Sequence, residues 1–297
     1  MSLNDDLAKI PNLILHLSCD LTAFSTFRLK SFGDLAVIQH VDSLKLILAM
    51  LKKHSRPYRL IGWGANQVLA TVEKDFLLKL DLLSDETTLE SYRDSYDLPA
   101  SIGLNHLTSH AVKFNVGGWE VFTGIPASLG GAIAMNAGTA LGEIGSLVRS
   151  VEVMNSSGEL RTEIITPQSF SYRKNHFLRP GDVVISARLG HKGIDPLVGQ
   201  KIKEYIAYRK KTQPLATKNC GCVFKNYDQN FKAGKFIDQS GLKGLSVGAL
   251  SISTLHANFM ENKGQASYDD FYELTRLINQ QMKLHWGIEF ELEVKSV

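Results

Sequence analysis

The stretch WEVFTGIPASLGGAIAMNAGTALG, residues 119–142, decides the fold because it suits neither a conventional amphipathic helix nor a half-solvated strand. Six of its positions are glycine or proline, and Glu120 carries its only charge. Glycine allows a positive φ and lets a ligand approach the main chain, where successive N–H groups can bind an anion such as a phosphate. The stretch therefore predicts either a ligand-binding loop or a buried turn between core elements.

The composition indicates a globular protein without a nucleic-acid or membrane partner. The 297 residues, 44% of them hydrophobic, can bury the cores of two or three domains. A net charge of +3 without a concentrated basic block favours an anionic small molecule over nucleic acid. No apolar run reaches the roughly 18 residues of a membrane span, and the start, MSLNDDLAKI, lacks the features of a signal peptide. We therefore predict a cytoplasmic protein.

The cysteine pattern argues against disulfides and against a metal site. Cys19, Cys220 and Cys222 are an odd number of thiols in a compartment expected to be reducing. Cys220 and Cys222 are not joined by a second cysteine pair or a histidine cluster at ligand spacing. We therefore predict no metal.

A second glycine-containing loop, GWGAN at residues 62–66, follows a predicted strand at residues 58–61. It lacks the third glycine and the downstream acid of a dinucleotide-binding fingerprint, so by itself it indicates a turn. Together with the glycines of residues 124–142 it predicts two backbone nests on neighbouring small α/β units. Such a pair could hold a cofactor that carries two phosphates.

The remaining pattern is a mixture of helices and strands with a domain boundary at residues 190–196. Helices are predicted at residues 42–54, 196–211 and 267–285, and a turn followed by a helix at residues 98–114. Strands are predicted at residues 58–61, 76–83, 147–154, 159–165, 183–185, within 219–227, and at 288–294. The helix at 42–54 is expected to begin at Asp42 or Ser43. The alternation in IEFELEV, residues 288–294, predicts a strand with one buried face and three glutamates on the other.

Six motifs occur along the chain: IGWGAN, GIPASLGGAIAMNAG, FSYRKNHF, QPLATKNCGCVFKN, HANFMEN and GIEFELEV. Their residues and order resemble the UDP-N-acetylenolpyruvoylglucosamine reductases of bacterial peptidoglycan synthesis, over residues 23–294. The resemblance implies an α/β (α+β) fold with a two-subdomain FAD-binding region of the vanillyl-alcohol-oxidase type and a third α/β domain that binds the substrate. It places FAD-binding subdomain 1 at residues 1–83, subdomain 2 at 84–192 and the substrate-binding domain at 193–297.

The resemblance also implies an activity, which is NADPH-dependent reduction of the enolpyruvyl group of UDP-N-acetylenolpyruvoylglucosamine to UDP-N-acetylmuramate. This is a cytoplasmic step of cell wall biogenesis, on which cell shape and division depend. FAD is expected to bind noncovalently, because residues 62–66 contain no histidine for attachment. The UDP-sugar and NADPH are the implied partners, and a monomer is expected. No tyrosine-bearing insertion occurs between Cys222 and Glu293, so the chain is similar to the family type that lacks a substrate-capping loop.

Two other functions stay open at this point. One is a different noncovalent FAD oxidoreductase of the same fold. The other is a catalytically silent flavin-binding relative, for which the altered loop at residues 62–66 is the motivating feature. Two residues of that loop depart from the family's GGGSN pattern, since Trp63 replaces a glycine and Ala65 replaces a serine. Asn175 and Cys222 also stand where the family usually has serine.

The site residues are carried over from the matching motif positions. The resemblance implies that Arg173 binds the carboxylate of the enolpyruvyl group and that a protonated Glu293 hydrogen-bonds its other oxygen. Cys222 matches the residue that gives a proton to the carbanionic carbon. An arginine suits the first role because its planar, permanently charged fork can hold a carboxylate with two hydrogen bonds. The implied cofactor-binding residues are Gly62, Trp63, Gly64, Ala65, Asn66, Gly124, Ile125, Pro126, Ser128, Gly130, Gly131, Asn136, Ala137 and Gly138. The implied substrate-binding residues are Tyr172, Lys225, Asn226 and Asn258.

Overall fold

The computed structural model describes residues 2–83, 86–227 and 231–296. Its helices are α1 (Leu3–Leu7), α2 (Val41–Lys53), α3 (Leu104–Phe114), α4 (Leu129–Ala134), α5 (Val198–Thr212), α6 (Ala233–Gln239) and α7 (Tyr268–Trp286). Its strands are β1 (Leu13–Asp20), β2 (Phe32–Ile38), β3 (Tyr58–Leu60), β4 (Phe76–Leu80), β5 (Tyr96–Pro99), β6 (Gly138–Thr139), β7 (Gly142–Glu143), β8 (Val148–Met154), β9 (Leu160–Ile164), β10 (Phe170–Ser171), β11 (Lys174–Asn175), β12 (Val183–Leu189), β13 (Ser246–Val247), β14 (Leu250–Ile252) and β15 (Met260–Asn262). The predicted mixed α/β class is confirmed.

The chain divides into two compact units. The first unit comprises Met1–Leu17, Asp34–Gly62 and Asp75–Ile206, and the second comprises Ser18–Gly33, Trp63–Lys74 and Ala207–Val297. The predicted loop at residues 62–66 is therefore divided, with Gly62 in the first unit and the other four residues in the second.

The first sheet has the strand order β1-β2-β4-β3, and its last three strands are parallel. Strands β2 and β3 both pair with β4 in parallel, and α2 connects them. The apolar face of α2 packs in one core with Phe76 and Leu78 of β4. The predicted helix is confirmed, but its predicted start is wrong: the N-cap is His40, whose ring Nδ1 accepts a hydrogen bond from the Asp42 N–H at 3.2 Å. Strand β4 is also shorter than predicted and ends at Leu80.

The second sheet of the first unit is antiparallel, with the order β5-β12-β8-β9. Strand β5 did not emerge from the sequence pattern, and β12 is longer than the predicted residues 183–185. The core against this sheet includes Trp119, which is fully buried and donates its indole N–H to the Gly190 carbonyl at 2.9 Å. The beginning of the stretch at 119–142 is therefore a buried core turn.

The middle of that stretch combines exposed backbone with the short helix α4. Ser128 caps the six-residue helix α4 by accepting a hydrogen bond from the Gly131 N–H at 3.4 Å. Gly124, Pro126 and Gly131 are exposed, although none of them carries a polar side chain. The predicted buried turn thus holds for the first part of the stretch, and the predicted ligand-binding loop stays a prediction for the exposed backbone that follows.

The second unit is built around α7 and the antiparallel sheet β13-β14-β15. The predicted capping box is confirmed, because the Ser267 side chain accepts from the Asp270 N–H and the Asp270 side chain accepts from the Ser267 N–H. Gly287 ends the helix with a left-handed φ of 67°, as its position predicts. The buried face of α7 includes Phe271 and Ile278. No helix in the described ranges has both the length and the apolar character needed to cross a membrane.

The regular strand predicted at residues 288–294 is wrong, although its predicted buried face is confirmed, since Phe290 and Val294 lie in the core. Leu292 makes only an isolated antiparallel bridge to Phe224, and residues 219–227 likewise form bridges without a regular strand. The Phe290 backbone is bound by a side chain instead: its N–H donates to Asn279 Oδ1 at 3.0 Å, and its carbonyl accepts from Asn279 Nδ2 at 3.1 Å. These two bonds occupy the groups that a neighbouring strand would need.

Candidate active site

Arg173 lies in the turn of a tight hairpin in the first unit. Strands β10 and β11 pair Ser171 with Lys174, so Tyr172 and Arg173 are the two turn residues. Arg173 has a φ of 55°, which is uncommon for a residue other than glycine. Its guanidinium lies 4.9 Å from the Tyr172 ring centroid, and Nη2 donates to the Gly138 carbonyl at 3.2 Å. The Arg173 side chain is only 17% exposed, so the predicted carboxylate-binding cation is partly desolvated.

Asn136 holds this hairpin in place. Its side chain is buried, and its Nδ2 donates to the Ser171 carbonyl at 3.0 Å and to Glu143 Oε2 at 2.8 Å. Its Oδ1 accepts a hydrogen bond from the Gly145 N–H at 3.0 Å. The side chain of this predicted cofactor-binding residue is therefore engaged within the protein.

Asn175, which departs from the family's serine, has a structural role. Its Nδ2 donates to the Ala134 carbonyl at the end of α4 at 2.6 Å, and its Oδ1 accepts from the Leu178 N–H at 3.0 Å. The longer amide thus joins the hairpin to α4 and satisfies a carbonyl that the helix leaves unpaired.

The glycines of the predicted cofactor loop serve different purposes. Gly130 donates its N–H to the Ala100 carbonyl at 2.8 Å, and a Cβ there would lie 2.8 Å from the Ala100 Cβ. Its lack of a side chain is explained by packing against the chain after β5. Gly131 is exposed, and a Cβ there would have Ser128 Oγ, at 3.3 Å, as its close neighbour. Gly124 has a φ of 70° and is also exposed.

Lys79 was not singled out from the sequence. It lies on β4, and its Nζ donates to the Gly62 carbonyl at 3.1 Å. Burial lowers the pKa of Lys79, and a nearby Asp81 partly opposes this shift. A lysine inside the apolar strand FLLKL was the available signal, because a buried cation needs a polar partner.

The other residues of the GWGAN loop lie in the second unit. Gly64 has a φ of 64°, and a Cβ there would lie 2.6 Å from the Ser25 Cα, so the loop requires glycine at this position. The Asn66 side chain donates to the Glu293 carbonyl at 3.2 Å, and the Asn66 backbone carbonyl accepts from the Lys295 N–H at 3.0 Å. The loop is thereby joined to the last segment of the chain, which carries Glu293.

Cys222 and Glu293 lie on neighbouring segments of the second unit. The Glu293 N–H donates to the Val223 carbonyl at 2.7 Å, next to Cys222. Cys222 is half-buried, whereas Cys220 is buried and its pKa is raised by that burial. None of the cysteines forms a disulfide. In the described part of the chain, no group of three or more His, Cys, Asp or Glu side chains is arranged to hold a metal ion.

Asn258 fixes the segment that follows Cys222. Its buried side chain accepts from the Phe224 N–H at 2.9 Å and donates to the Phe224 carbonyl at 2.8 Å. Both polar atoms of the Asn258 amide are therefore hydrogen-bonded to the Phe224 backbone. The predicted substrate contact of Asn258 would therefore compete with these two bonds.

Lys225 and Asn226 also have partners in the second unit. Lys225 Nζ forms an ion pair with Glu291 at 2.5 Å, and this hydrogen bond lowers the pKa of Glu291. Asn226 Oδ1 accepts a hydrogen bond from the Ala233 N–H at 3.1 Å, at the start of α6. Because Glu291 is mostly exposed, Lys225 can exchange the Glu291 carboxylate for another anion at little cost in free energy.

The structure thus brings the predicted residues together in two groups. The first unit groups Tyr172 and Arg173 with Asn136 and Gly138, and the second unit groups Cys222, Lys225, Asn258 and Glu293 with Asn66.

Two family profiles match this chain. That of the FAD binding domain matches residues 35–163, and that of the UDP-N-acetylenolpyruvoylglucosamine reductase C-terminal domain matches residues 213–297. The predicted succession of an FAD-binding region and a C-terminal α/β domain is confirmed.

Whole-length relatives agree with these profiles. A UDP-N-acetylenolpyruvoylglucosamine reductase of Chlamydia pneumoniae is 33% identical over 282 residues, which is 93% of this chain and 90% of the relative. One from Thermotoga sp. (strain RQ2) is 32% identical over 260 residues, 86% of this chain and 84% of the relative. The crystal structure of the reductase from Thermus caldophilus superimposes with a TM-score of 0.78 at 30% identity, covering 96% of this chain and 98% of that one.

Proposed function

Since the chain belongs to the UDP-N-acetylenolpyruvoylglucosamine reductase family, we propose that it reduces the enolpyruvyl group of UDP-N-acetylenolpyruvoylglucosamine to give UDP-N-acetylmuramate. The chain is an FAD-dependent oxidoreductase, and NADPH is its reductant. The observation that best supports this reaction is the partly buried Arg173, held in its hairpin by Asn136 and Gly138. A catalytically silent relative would have no need of a cation fixed in this way.

The exposed backbone of the first unit fits FAD. Gly124 and Gly131 leave the main chain exposed. Among the described residues, a Cβ built on Gly131 would have Ser128 Oγ, at 3.3 Å, as its one neighbour within 4 Å. Bound FAD would supply the hydride chemistry that couples oxidation of NADPH to reduction of the enolpyruvyl double bond. Lys79, with its ammonium group at the Gly62 carbonyl, adds a positive charge that suits a diphosphate.

Three side chains are proposed to act on the substrate. Arg173 binds the substrate carboxylate, into which negative charge spreads as the adjacent carbon becomes carbanionic. Glu293, in its protonated form, donates a hydrogen bond to the other carboxylate oxygen. The Cys222 thiol then transfers its proton to the carbanionic carbon.

The remaining assignments concern organisation and context. We propose FAD-binding subdomains at residues 1–83 and 84–192 and a substrate-binding domain at 193–297. The enzyme acts as a cytoplasmic monomer in peptidoglycan precursor synthesis. Tyr172, Asn226 and Asn258 are proposed substrate contacts, together with Lys225.

Bound FAD should make the purified protein yellow, with a flavin that denaturation releases. Gly131→Ala is expected to weaken FAD binding about tenfold or more, because a methyl group would stand on a backbone that lies against the cofactor. Its control is Gly199→Ala, another helical glycine whose Cβ would meet only Val112, at 3.7 Å. Titrating FAD into the apoprotein by fluorescence quenching measures both. A colourless protein that takes up no FAD on reconstitution would contradict the proposed cofactor.

Lys225→Ala should raise the substrate KM about tenfold and change kcat much less. The reason is that Lys225 is proposed to hold the substrate diphosphate equally in the ground state and the transition state. Glu291→Gln is the matched variant, since it removes the anion that competes for Lys225 and should leave KM unchanged or lower it. Steady-state kinetics with varied UDP-sugar decides the matter. An unchanged KM in Lys225→Ala would reject this role.

A further inference from the structure

Glu143 directly follows the stretch at residues 119–142 and shares its carboxylate between two side chains. Oε2 accepts a hydrogen bond from Asn136 at 2.8 Å, and Oε1 lies 3.7 Å from Arg173 Nη1. The Glu143 side chain is 38% exposed and that of Arg173 17%. The pair is therefore only partly shielded from water, so its electrostatic attraction is moderate.

The geometry around Glu143 leaves it little freedom. Glu143 belongs to β7, which pairs with β6 so that Gly138 lies opposite Glu143. A Cβ on Gly138 would lie 2.7 Å from the Glu143 Cγ, so the glycine makes room for this side chain. The same Gly138 offers its carbonyl to Arg173 Nη2 at 3.2 Å. One short hairpin thus supplies a hydrogen-bond acceptor, the Gly138 carbonyl, and an ion-pair partner, Glu143, for the guanidinium.

Asn136 connects the carboxylate to the hairpin that carries Arg173. Its single amide nitrogen donates both to Glu143 and to the Ser171 carbonyl of β10. Its oxygen accepts from the Gly145 N–H, which fixes the amide's orientation. The carboxylate, the amide and the arginine turn therefore form one connected network.

We propose that Glu143 is a positioning residue, which orients the Arg173 guanidinium before the substrate carboxylate arrives. The proposal rests on the proposed function of Arg173. Two effects of Glu143 oppose each other: its negative charge weakens the attraction of Arg173 for an anion, and its contact restricts a long side chain that has many rotamers. Orientation should outweigh the charge, because the pair is partly solvated and the carboxylate is already shared with Asn136.

The test compares half-reactions in the FAD-loaded enzyme. Glu143→Gln keeps an oxygen that can accept from Asn136 but removes the charge facing Arg173. We expect flavin reduction by NADPH to proceed at the parent rate and reoxidation by the enolpyruvyl substrate to slow roughly 10- to 100-fold. The matched control is Glu159→Gln, because Glu159 also accepts from an asparagine amide, that of Asn155, at 2.8 Å. This control should leave both half-reactions unchanged.

A double-mutant cycle separates positioning from simple loss of structure. In an Arg173→Gly background, Glu143→Gln should slow reoxidation no further, because it acts through the missing guanidinium. An equal further decrease would overturn the proposal. Glu143→Asp, which keeps the charge on a shorter side chain, serves if Glu143→Gln does not fold; its reoxidation rate should fall between those of the parent and Arg173→Gly, and a parental rate would contradict the positioning role.

Reoxidation of the parent enzyme distinguishes failure of the proposed reaction from failure of the positioning role. If the parent enzyme, reduced by NADPH, is not reoxidised by the enolpyruvyl substrate, both the proposed reaction and the role of Glu143 fall. If the parent is reoxidised and Glu143→Gln matches it at every substrate concentration, only the positioning role is overturned.

Discussion

Replacing Cys222 with alanine should stop product formation while NADPH still reduces the flavin at the parent rate. Cys222 is half-buried and lies beside the segment of Glu293, whereas Cys220 is buried out of reach of a substrate. Loss of a general acid typically lowers a rate by about 10²- to 10⁴-fold. Reoxidation of the reduced enzyme by the substrate is the step expected to show this loss.

Cys222→Ser should retain activity but change its dependence on pH. An ordinary thiol has a pKa of about 8.5, so it yields a proton more readily than an alcohol but exists as a thiolate at alkaline pH. A thiolate has no proton to give. Turnover of the parent should therefore decline at alkaline pH, and Cys222→Ser should lack this decline.

Rapid mixing of the pre-reduced enzyme with the enolpyruvyl substrate measures the step directly. Cys19→Ala is the control, because it removes a half-buried thiol from β1 that has no proposed role. If Cys222→Ala is reoxidised as fast as the parent, Cys222 is a packing residue and the proton comes from another group.

Both ends of α7, which depend on local interactions, were predicted well from the sequence. The capping box and the terminal glycine of α7 lie within a few residues of the helix ends, so their signals are complete in the local sequence. The segment at 288–294 shows the opposite case. Its alternation satisfies the strand pattern, yet Asn279 of α7 binds the Phe290 backbone from a distant part of the chain. A local pattern contains no information about such a competitor.

The same distinction applies to the candidate site. Arg173, Cys222 and Glu293 were proposed because their motifs resemble a known family, and their roles stay predictions. Glu143 was missed because its importance depends on contacts with Asn136 and Arg173, which the hairpins of β6–β7 and β10–β11 create. The signal available in the sequence was that Glu143, a charged residue, directly follows the nearly uncharged stretch at residues 119–142.

Removing the Arg173 side chain should slow reoxidation by the enolpyruvyl substrate about 10²- to 10³-fold, the usual cost of losing a donor that stabilises developing negative charge. The positive φ of Arg173 allows this chemical effect to be separated from folding. Glycine adopts a left-handed conformation without strain, whereas alanine there costs roughly 1 kcal/mol more. Arg173→Gly and Arg173→Ala should therefore share one catalytic defect but differ in thermal stability, with the glycine variant unfolding at the higher temperature.

Arg173→Lys should recover only part of the lost rate, because an ammonium group keeps the charge but cannot form the two parallel bonds of a guanidinium. Lys174→Ala is the control within the same hairpin, since Lys174 is exposed and should affect neither half-reaction. Single-turnover reoxidation and thermal unfolding of these variants, each loaded with FAD, provide the two readouts. A parental reoxidation rate in Arg173→Gly would show that the substrate carboxylate is bound elsewhere, and the conserved stability of that variant would exclude misfolding as the reason for any loss.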